Sequence, residues 1–293
     1  MTAPLVAGVE LGGTKCICIL GTGPDDVRAI ERIPTTTPVE TLAAVEAVLD
    51  GWHGFAALGI PSFGPVGIDP TASDWGHITA TTKPGWSGTD IAPRLAARYG
   101  VPVGFHTDVV GAALAEARWG AAQGLADLAY VTIGTGVGVG LIAGGEPLSG
   151  LTHAELGHLR PRRLAGDDFG GICSFHGDCI EGLASGPAIA ARAGVPGDRL
   201  ATDDPAWSPV VDAIAQLCHM LVLTGVPRRI LFGGGVGVGA PHLLPRVRAA
   251  LIDSLGGYGN TALLGDIYAF IAPAALGDRA GPLGAILLGQ AAL

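Results

Sequence analysis

Lysine occurs only twice in this chain of 293 residues, at Lys15 and Lys83, each beside a glycine or proline turn. Charge of either sign is scarce: Asp, Glu, Lys and Arg make up 15% of the chain, against about a quarter in an average soluble domain. The 26 acids outnumber the 17 bases, giving a net charge of −9. No stretch is rich in Lys or Arg, which excludes the basic footprint of a nucleic-acid binder. No charged and then apolar leader precedes the first strand-like residues at Leu5, so the expectation is a cytoplasmic protein in a reducing compartment. The longest uncharged stretch, Leu128–Gly145, is dense in glycine and alternates as a strand does, so no membrane span is expected. No linker rich in Pro, Ser or charge divides the chain. Two common nucleotide fingerprints are missing: G-x4-G-K-[ST], and G-x-G-x-x-G after a first strand.

Apolar residues make up 48% of the chain, enough for a large core, and the length favours two lobes over one. The 48 glycines follow no collagen period and gather in discrete turns. Leu5–Glu10 and Cys16–Leu20 read as a hairpin, with a third strand near Arg28–Pro34. Pro38–Asp50 has helical periodicity, with Leu42, Val45, Val48 and Leu49 on one face. A strand at Phe55–Pro61, a helix at Ile91–Tyr99, a strand at Val101–His106 and a helix through Trp119 follow. The second half reopens with strands Ala129–Ile133 and Val137–Ala143. Helices are expected at Gly182–Ala193, Val210–Thr224, His242–Leu251 and Pro282–Leu293, and a strand at Arg229–Phe232. A glycine-threonine turn between strands thus opens each half, a weak internal duplication. The division places residues 1–118 in a first lobe, joined by the helix 282–293, and residues 119–281 in a second.

The segment Gly150–Ser185 carries an H-x14-C-x2-H-x2-C array: His158, Cys173, His176 and Cys179. Two imidazoles and two thiolates are the donor set of a tetrahedral zinc site. The competing readings are buried thiols or a disulfide, the latter disfavoured in a reducing compartment. Cys16 and Cys18 share a strand face and Cys218 lies in an apolar helical pattern, so all three are expected in the core. His153 and Glu155 read either as loop polars or, for Glu155, as a partner for vicinal sugar hydroxyls. Trp75, His77 and Trp86 read equally as an aromatic lip or as packing.

Gly12-Gly13-Thr14-Lys15 and Gly134-Thr135-Gly136 are candidate phosphate clamps, and Gly233-Gly234-Gly235 is a third glycine run after a strand. Glu10, beside the first turn, would repel a triphosphate unless a divalent cation intervened, so it reads as a magnesium-positioning group or as a solvated turn residue. Asp108, at a strand-to-helix junction, reads as a helix N-cap, as the base for a substrate hydroxyl, or as both.

Glu10–Lys15, Gly64-Pro65-Val66, Thr107-Asp108, Thr132–Gly138, His153–His158 and Phe232–Gly235 together resemble the ROK sugar kinases. Ile78–Trp86 and Asp167–Pro187 resemble the bacterial fructokinase branch. The resemblance implies an α/β, two-lobed, actin-like sugar kinase (ribonuclease H-like) fold with a zinc loop, the nucleotide and sugar lying between the lobes. It implies ATP-dependent phosphorylation of D-fructose at its 6-hydroxyl with Mg2+, and a homodimer; the alternatives are a kinase for mannose, glucose or an N-acetylated amino sugar, and a non-catalytic sugar sensor. Asp108 would be the base, and Gly64, Pro65, Thr107, Asp108, Glu155 and His158 would lie at the sugar. Glu10, Gly12, Gly13, Thr14, Lys15, Gly134, Thr135, Gly136, Gly233, Gly234 and Gly235 would serve ATP. His158, Cys173, His176 and Cys179 would hold Zn2+. One departure stands out: Val110 occupies the position, two after the base, where relatives commonly have Asn.

Overall fold

The computed structural model describes residues 3–259 and 264–293. Among these, the strands are β1 (Val6–Leu11), β2 (Lys15–Gly23), β3 (Asp26–Pro34), β4 (Ala57–Ser62), β5 (Val103–Thr107), β6 (Leu128–Ile133), β7 (Val137–Ala143), β8 (Glu146–Pro147), β9 (Ile230–Gly233) and β10 (Ile271–Pro273). The α-helices are α1 (Pro38–Asp50), α2 (Ala92–Tyr99), α3 (Asp108–Trp119), α4 (Ile180–Ala184), α5 (Gly186–Ala193), α6 (Trp207–Met220), α7 (Gly234–Gly239), α8 (Leu243–Leu255), α9 (Ile267–Phe270) and α10 (Ala280–Ala291). The chain divides into two compact units, one of Met1–Gly120, Leu148–His153 and Asp278–Leu293, the other of Ala121–Pro147 and Ala154–Gly277.

In the first unit the sheet order is β3-β2-β1-β4-β5. β1 pairs antiparallel with β2 and parallel with β4, and β4 pairs parallel with β5. β1 is central and its apolar side chains are buried on both faces, which is why its sequence is a continuous apolar run and not an alternation. α10 lies directly on this sheet. A Cβ on Gly59 would stand 1.8 Å from the Ala285 carbonyl oxygen, and one on Gly104 would stand 2.0 Å from that of Leu288. Glycine at these strand positions is what lets helix backbone meet sheet backbone. α1 starts with a capping box between Thr37 and Glu40 and with Pro38 in its first turn, and it buries Leu42, Val45 and Leu49.

The second unit repeats the plan, with order β8-β7-β6-β9-β10. β6–β7–β8 is again an antiparallel meander, and β6, β9 and β10 run parallel. The duplication suggested by the two glycine-threonine turns is present as one topology used twice. The uncharged stretch from Leu128 onward is the β6–β7 hairpin. The helical stretch Trp207–Gly225 is long and apolar enough to cross a membrane by length and composition. Its α6 portion buries Val210, Ile214, Leu217 and Cys218 in this unit's core.

Several expectations change. Gly182–Ala193 is two helices, because Ser185 is extended and caps α5 by accepting a bond from the Ala188 N–H. The helix expected over Val210–Thr224 starts earlier, at Trp207, and gives way to a π-type turn over Leu221–Gly225. β10 and α9, too short to show a period, were not anticipated. Cys16, Cys18 and Cys218 are fully buried, as their pattern indicated.

Candidate active site

The register aligns Leu11 with Ser62 and Ser62 with Thr107, so β1, β4 and β5 end together. Ligands of α/β sheets bind at this carboxyl edge. Glu10, the Gly64-Pro65 turn and Thr107-Asp108 all gather there in the first unit. Gly64-Pro65 is a cis peptide, and the next residue, Val66, donates its N–H to His153 Nε2 at 3.0 Å. His153 is buried. It is therefore an anchor for the Pro65 turn and not a solvated loop polar.

Thr107, and not Asp108, is the N-cap of α3: its hydroxyl accepts the Val110 N–H at 3.3 Å. Asp108 is the first helical residue, and its Oδ1 accepts the Val109 N–H at 2.8 Å. Burial pushes the Asp108 carboxyl up to about 6, against the lowering effect of that bond. Val110 is buried in the helix interior, where it packs and contributes no polar anchor. His106 is also buried. Its Nδ1 accepts the Thr107 N–H at 2.8 Å, its Nε2 has no partner, and burial followed by the nearby His153 lowers it to about 4.

Glu10 is raised to about 7, first by burial and then by the charge of Asp108, with Lys15 pulling the other way. Its Oε2 is buried without a hydrogen-bond partner. A buried, unpartnered carboxylate oxygen beside a second carboxylate is a strong candidate for a cation. α10 closes on it: a Cβ on Gly281 would stand 2.0 Å from Glu10 Oε1.

At the first glycine turn the Gly12 N–H bonds the Lys15 carbonyl at 3.0 Å. The Thr35 hydroxyl holds the Gly12 carbonyl at 2.8 Å, and the Thr35 N–H holds that of Thr14 at 3.0 Å. The Lys83 ammonium donates to the Gly13 carbonyl at 2.6 Å. The carbonyls are thus taken, while the N–H groups of Gly13 and Thr14 make no bond among the described residues. A turn with fixed carbonyls and open N–H groups is built to receive anionic oxygens. Both rare lysines converge on it, Lys15 within the turn and 3.8 Å from Asp278. Thr35 gave no sequence signal, because its role depends on the β2–β3 pairing.

In the second unit Gly134 closes its own turn through a 2.9 Å bond to the Gly136 carbonyl, and Thr135 is exposed at the tip. The third glycine run lies against the same strand: a Cβ on Gly234, whose φ is +79°, would stand 2.5 Å from the Ile133 carbonyl oxygen. Gly235 sits beside Gly134. Two of the three glycine loops therefore form one surface.

His158, Cys173, His176 and Cys179 come together, with their ligand atoms all within 4.8 Å of one another. The edges are 3.3 Å between the two histidine Nδ1 atoms, 3.7 Å from Cys173 Sγ to each of them, and 3.6 Å from Cys179 Sγ to His158 Nδ1. A tetrahedron with Zn–S of about 2.3 Å and Zn–N of about 2.0–2.1 Å has edges of about 3.3–3.8 Å. The donor set fits such an ion. The loop is braced independently of the cluster: Arg192 pairs with Asp167, and Arg163 bridges Asp167, Asp178 and the Phe169 carbonyl. Glu155 is exposed, at the start of the short turn that carries His158.

Trp86 is packing and not a lip: it is fully buried, donates its indole N–H to the Thr36 carbonyl at 2.9 Å and meets Phe63 edge-on. Trp75 packs edge-on against Phe105, and His77 Nδ1 lies 3.0 Å from the Trp75 carbonyl.

Two α/β units built on one repeated sheet topology, with glycine turns at the strand ends, are the actin-like two-lobed kinase fold. The chain belongs to the ROK family, whose family model matches residues 6–292. It is 42% identical to a fructokinase of Pediococcus pentosaceus over 289 residues, covering 99% of both chains. It is 40% identical to a putative fructokinase of Bacillus subtilis, covering 99% of this chain and 96% of that one. Among solved structures, a ROK family glucokinase from Streptomyces griseus, in complex with glucose and AMPPNP, aligns with a TM-score of 0.77 at 26% identity over 98% of this chain and 99% of that chain.

Proposed function

We propose that the chain is an ATP-dependent fructokinase, moving the γ-phosphoryl group of ATP to the 6-hydroxyl of D-fructose. The observation that carries the reading is Asp108 at the carboxyl edge of the parallel strands, with its carboxyl raised to about 6. Such a group is ionised at neutral pH yet basic enough to accept a hydroxyl proton. The near-full-length identity to fructokinases supports fructose as the acceptor.

Asp108 takes the proton from the sugar hydroxyl as that oxygen forms its bond to the γ-phosphorus, and the bond from phosphorus to the β–γ bridging oxygen breaks, releasing ADP. Thr107 fixes the start of α3 and so the direction of Asp108. Gly64 and Pro65, tied down through Val66 and His153, shape the sugar side, as do Glu155 and His158. Gly12, Gly13, Thr14 and Lys15 receive phosphate oxygens through main-chain N–H groups and the lysine ammonium. Gly134, Thr135 and Gly136 do the same in the second unit, and Gly233, Gly234 and Gly235 allow close approach of the nucleoside. Glu10 would hold Mg2+, which neutralises the phosphate charge when bound. His158, Cys173, His176 and Cys179 would hold Zn2+, which staples the loop; the His158 ring engages the cluster through Nδ1, which leaves Nε2 for the sugar. We place the enzyme in the cytoplasm as a homodimer.

The test is a kinetic panel of fructose, mannose, glucose and N-acetylated amino sugars with Mg-ATP, alongside Asp108→Asn. Fructose should give the highest kcat/KM. The variant should lose about 10³-fold or more in kcat while still binding fructose in calorimetry. A wild-type enzyme that phosphorylates no hexose, or an Asp108→Asn variant with unchanged kcat, refutes the reading.

A further inference from the structure

In the first unit, the loop 78–89 touches both the Gly64-Pro65 turn and the first glycine turn. It is closed at its base, where the Ile78 N–H bonds the Thr89 carbonyl at 2.9 Å and the Gly88 N–H bonds the Ile78 carbonyl at 2.8 Å. Within it, the Ser87 hydroxyl accepts the Thr81 N–H at 3.1 Å. The buried Trp86 pins it down through the Thr36 carbonyl. At its first residues the loop grips the sugar-side turn: Ile78 bridges Val66, and the Thr79 N–H bonds the Pro65 carbonyl at 2.8 Å. Further along, Lys83 reaches the Gly13 carbonyl.

The last contact fixes more than a carbonyl. The C=O and N–H of one trans peptide point in opposite directions. The Thr35 hydroxyl, by holding the Gly12 carbonyl, sets the direction of the Gly13 N–H. The Lys83 ammonium, by holding the Gly13 carbonyl, sets the direction of the Thr14 N–H. These are the two open N–H groups of the turn. Packing does not hold them instead: a Cβ on Gly13 would meet no atom within 4 Å. The Gly13–Thr14 peptide is therefore free to turn over once the ammonium leaves it.

We propose that Lys83 is a positioning residue for the nucleotide, and that the loop carrying it makes nucleotide affinity depend on the sugar bound at Gly64-Pro65. The inference rests on the reading above, in which the first glycine turn receives phosphate and Gly64-Pro65 shapes the sugar side. A sugar seated on that turn steadies the Pro65 carbonyl, through it Thr79 and the loop, and so the reach of Lys83. With the ammonium in place the Thr14 N–H keeps one direction, toward a phosphate oxygen. Without it the peptide samples both orientations and the donor is lost part of the time. Lys83 sits on the carbonyl side of the peptide, opposite the N–H that meets phosphate. It acts through Thr14 and not by touching the nucleotide.

The experiment is calorimetric titration of ADP, with no turnover involved, with and without saturating fructose. In wild type, fructose should tighten ADP by about fivefold or more, and ADP should tighten fructose by the same factor. Lys83→Met keeps the stem and removes the donor. It should weaken ADP by about tenfold, and fructose should then tighten ADP by less than about twofold. The KM for ATP should rise in parallel, while kcat at saturating ATP stays within about twofold. Fructose alone should bind as it does to wild type. Lys83 is exposed, so the melting temperature should stay within about 2 °C. Lys83→Arg, which can donate to the same carbonyl, should recover most of the ADP affinity. Thr35→Val frees the Gly12 carbonyl from outside the loop, so it should weaken ADP yet keep the wild-type response to fructose.

The inference is overturned if Lys83→Met binds ADP as wild type does, if it keeps the wild-type response to fructose, or if Lys83→Arg is as impaired as Lys83→Met. Loss of the fructose response in Thr35→Val also overturns it, since the response would then not run through the loop. A wild-type protein that binds ADP and fructose without coupling overturns this inference alone. A wild-type protein that binds neither overturns the reading beneath it.

Discussion

Glu10→Gln should make the protein more stable and a worse enzyme. The Glu10 carboxyl is held at about 7 by burial and by Asp108, so above that pH the folded chain carries a charge it has not solvated. Moving a carboxyl from 4.5 to about 7 costs about 3 kcal/mol at ~1.4 kcal/mol per pH unit. Oε2 is buried but the residue as a whole keeps some contact with solvent, and screening trims the figure to about 1–2 kcal/mol. The sign follows from proton binding. The folded state holds this proton more tightly than the unfolded state, so the stabilising term is full below pH 4.5 and is lost as pH rises through about 7. Thermal melts of wild type and Glu10→Gln, without nucleotide or magnesium, should therefore coincide at pH 4. At pH 8 the variant should melt higher by about 2–4 °C, at roughly 2 °C per kcal/mol. Adding Mg-ADP should stabilise wild type more than the variant, because the carboxylate then has a cation. A variant that melts lower than wild type at pH 8 by as much as at pH 4 would mean that Glu10 acts as a packing residue, and the cation argument would fall.

For Asp108, held at about 6, kcat/KM should fall about tenfold per unit as pH drops below that value; a flat profile down to pH 5 would show that its ionisation is not required. His153→Leu leaves the Val66 N–H buried and unpaired, which should cost about 1–3 kcal/mol in urea denaturation and raise the KM for fructose more than it lowers kcat. Cys179→Ser should remove zinc on elemental analysis and lower the melting temperature; retention of the metal would mean the cluster closes around three donors.

Motifs were legible where the chemistry is local. The Cys173-His176-Cys179 spacing belongs to one loop, and the glycine turns to single hairpins, so their residue types alone indicate what they present. α1 was legible because its capping box and its 3.6-residue apolar repeat agree. Roles that depend on which segment lies alongside were not. His153 looked like a loop polar until the fold brought Val66 to it, 87 residues away in sequence. Lys83 gained its role only by reaching Gly13, 70 residues distant. The N-cap of α3 fell to Thr107 and not to Asp108, because a shift of one residue in the strand end decides which side chain faces the free N–H groups. Trp86 could have faced a ligand or the core, and it faces the core because Thr36 offers its carbonyl there.

By itself the sequence determined the family, the four Cys and His residues that cluster in one loop and the two-fold use of a strand-turn-strand unit. These depend on residue type and short spacing, which survive any arrangement of the rest. Only the tertiary structure decided that the Glu10 carboxylate is desolvated and set against Asp108, and that Glu181, just past the Cys/His loop, accepts the Val137 N–H after the second glycine turn. Proton affinity and positioning are set by desolvation and by neighbours from distant parts of the chain, and those neighbours exist only once the sheets have paired and the helices have closed over them.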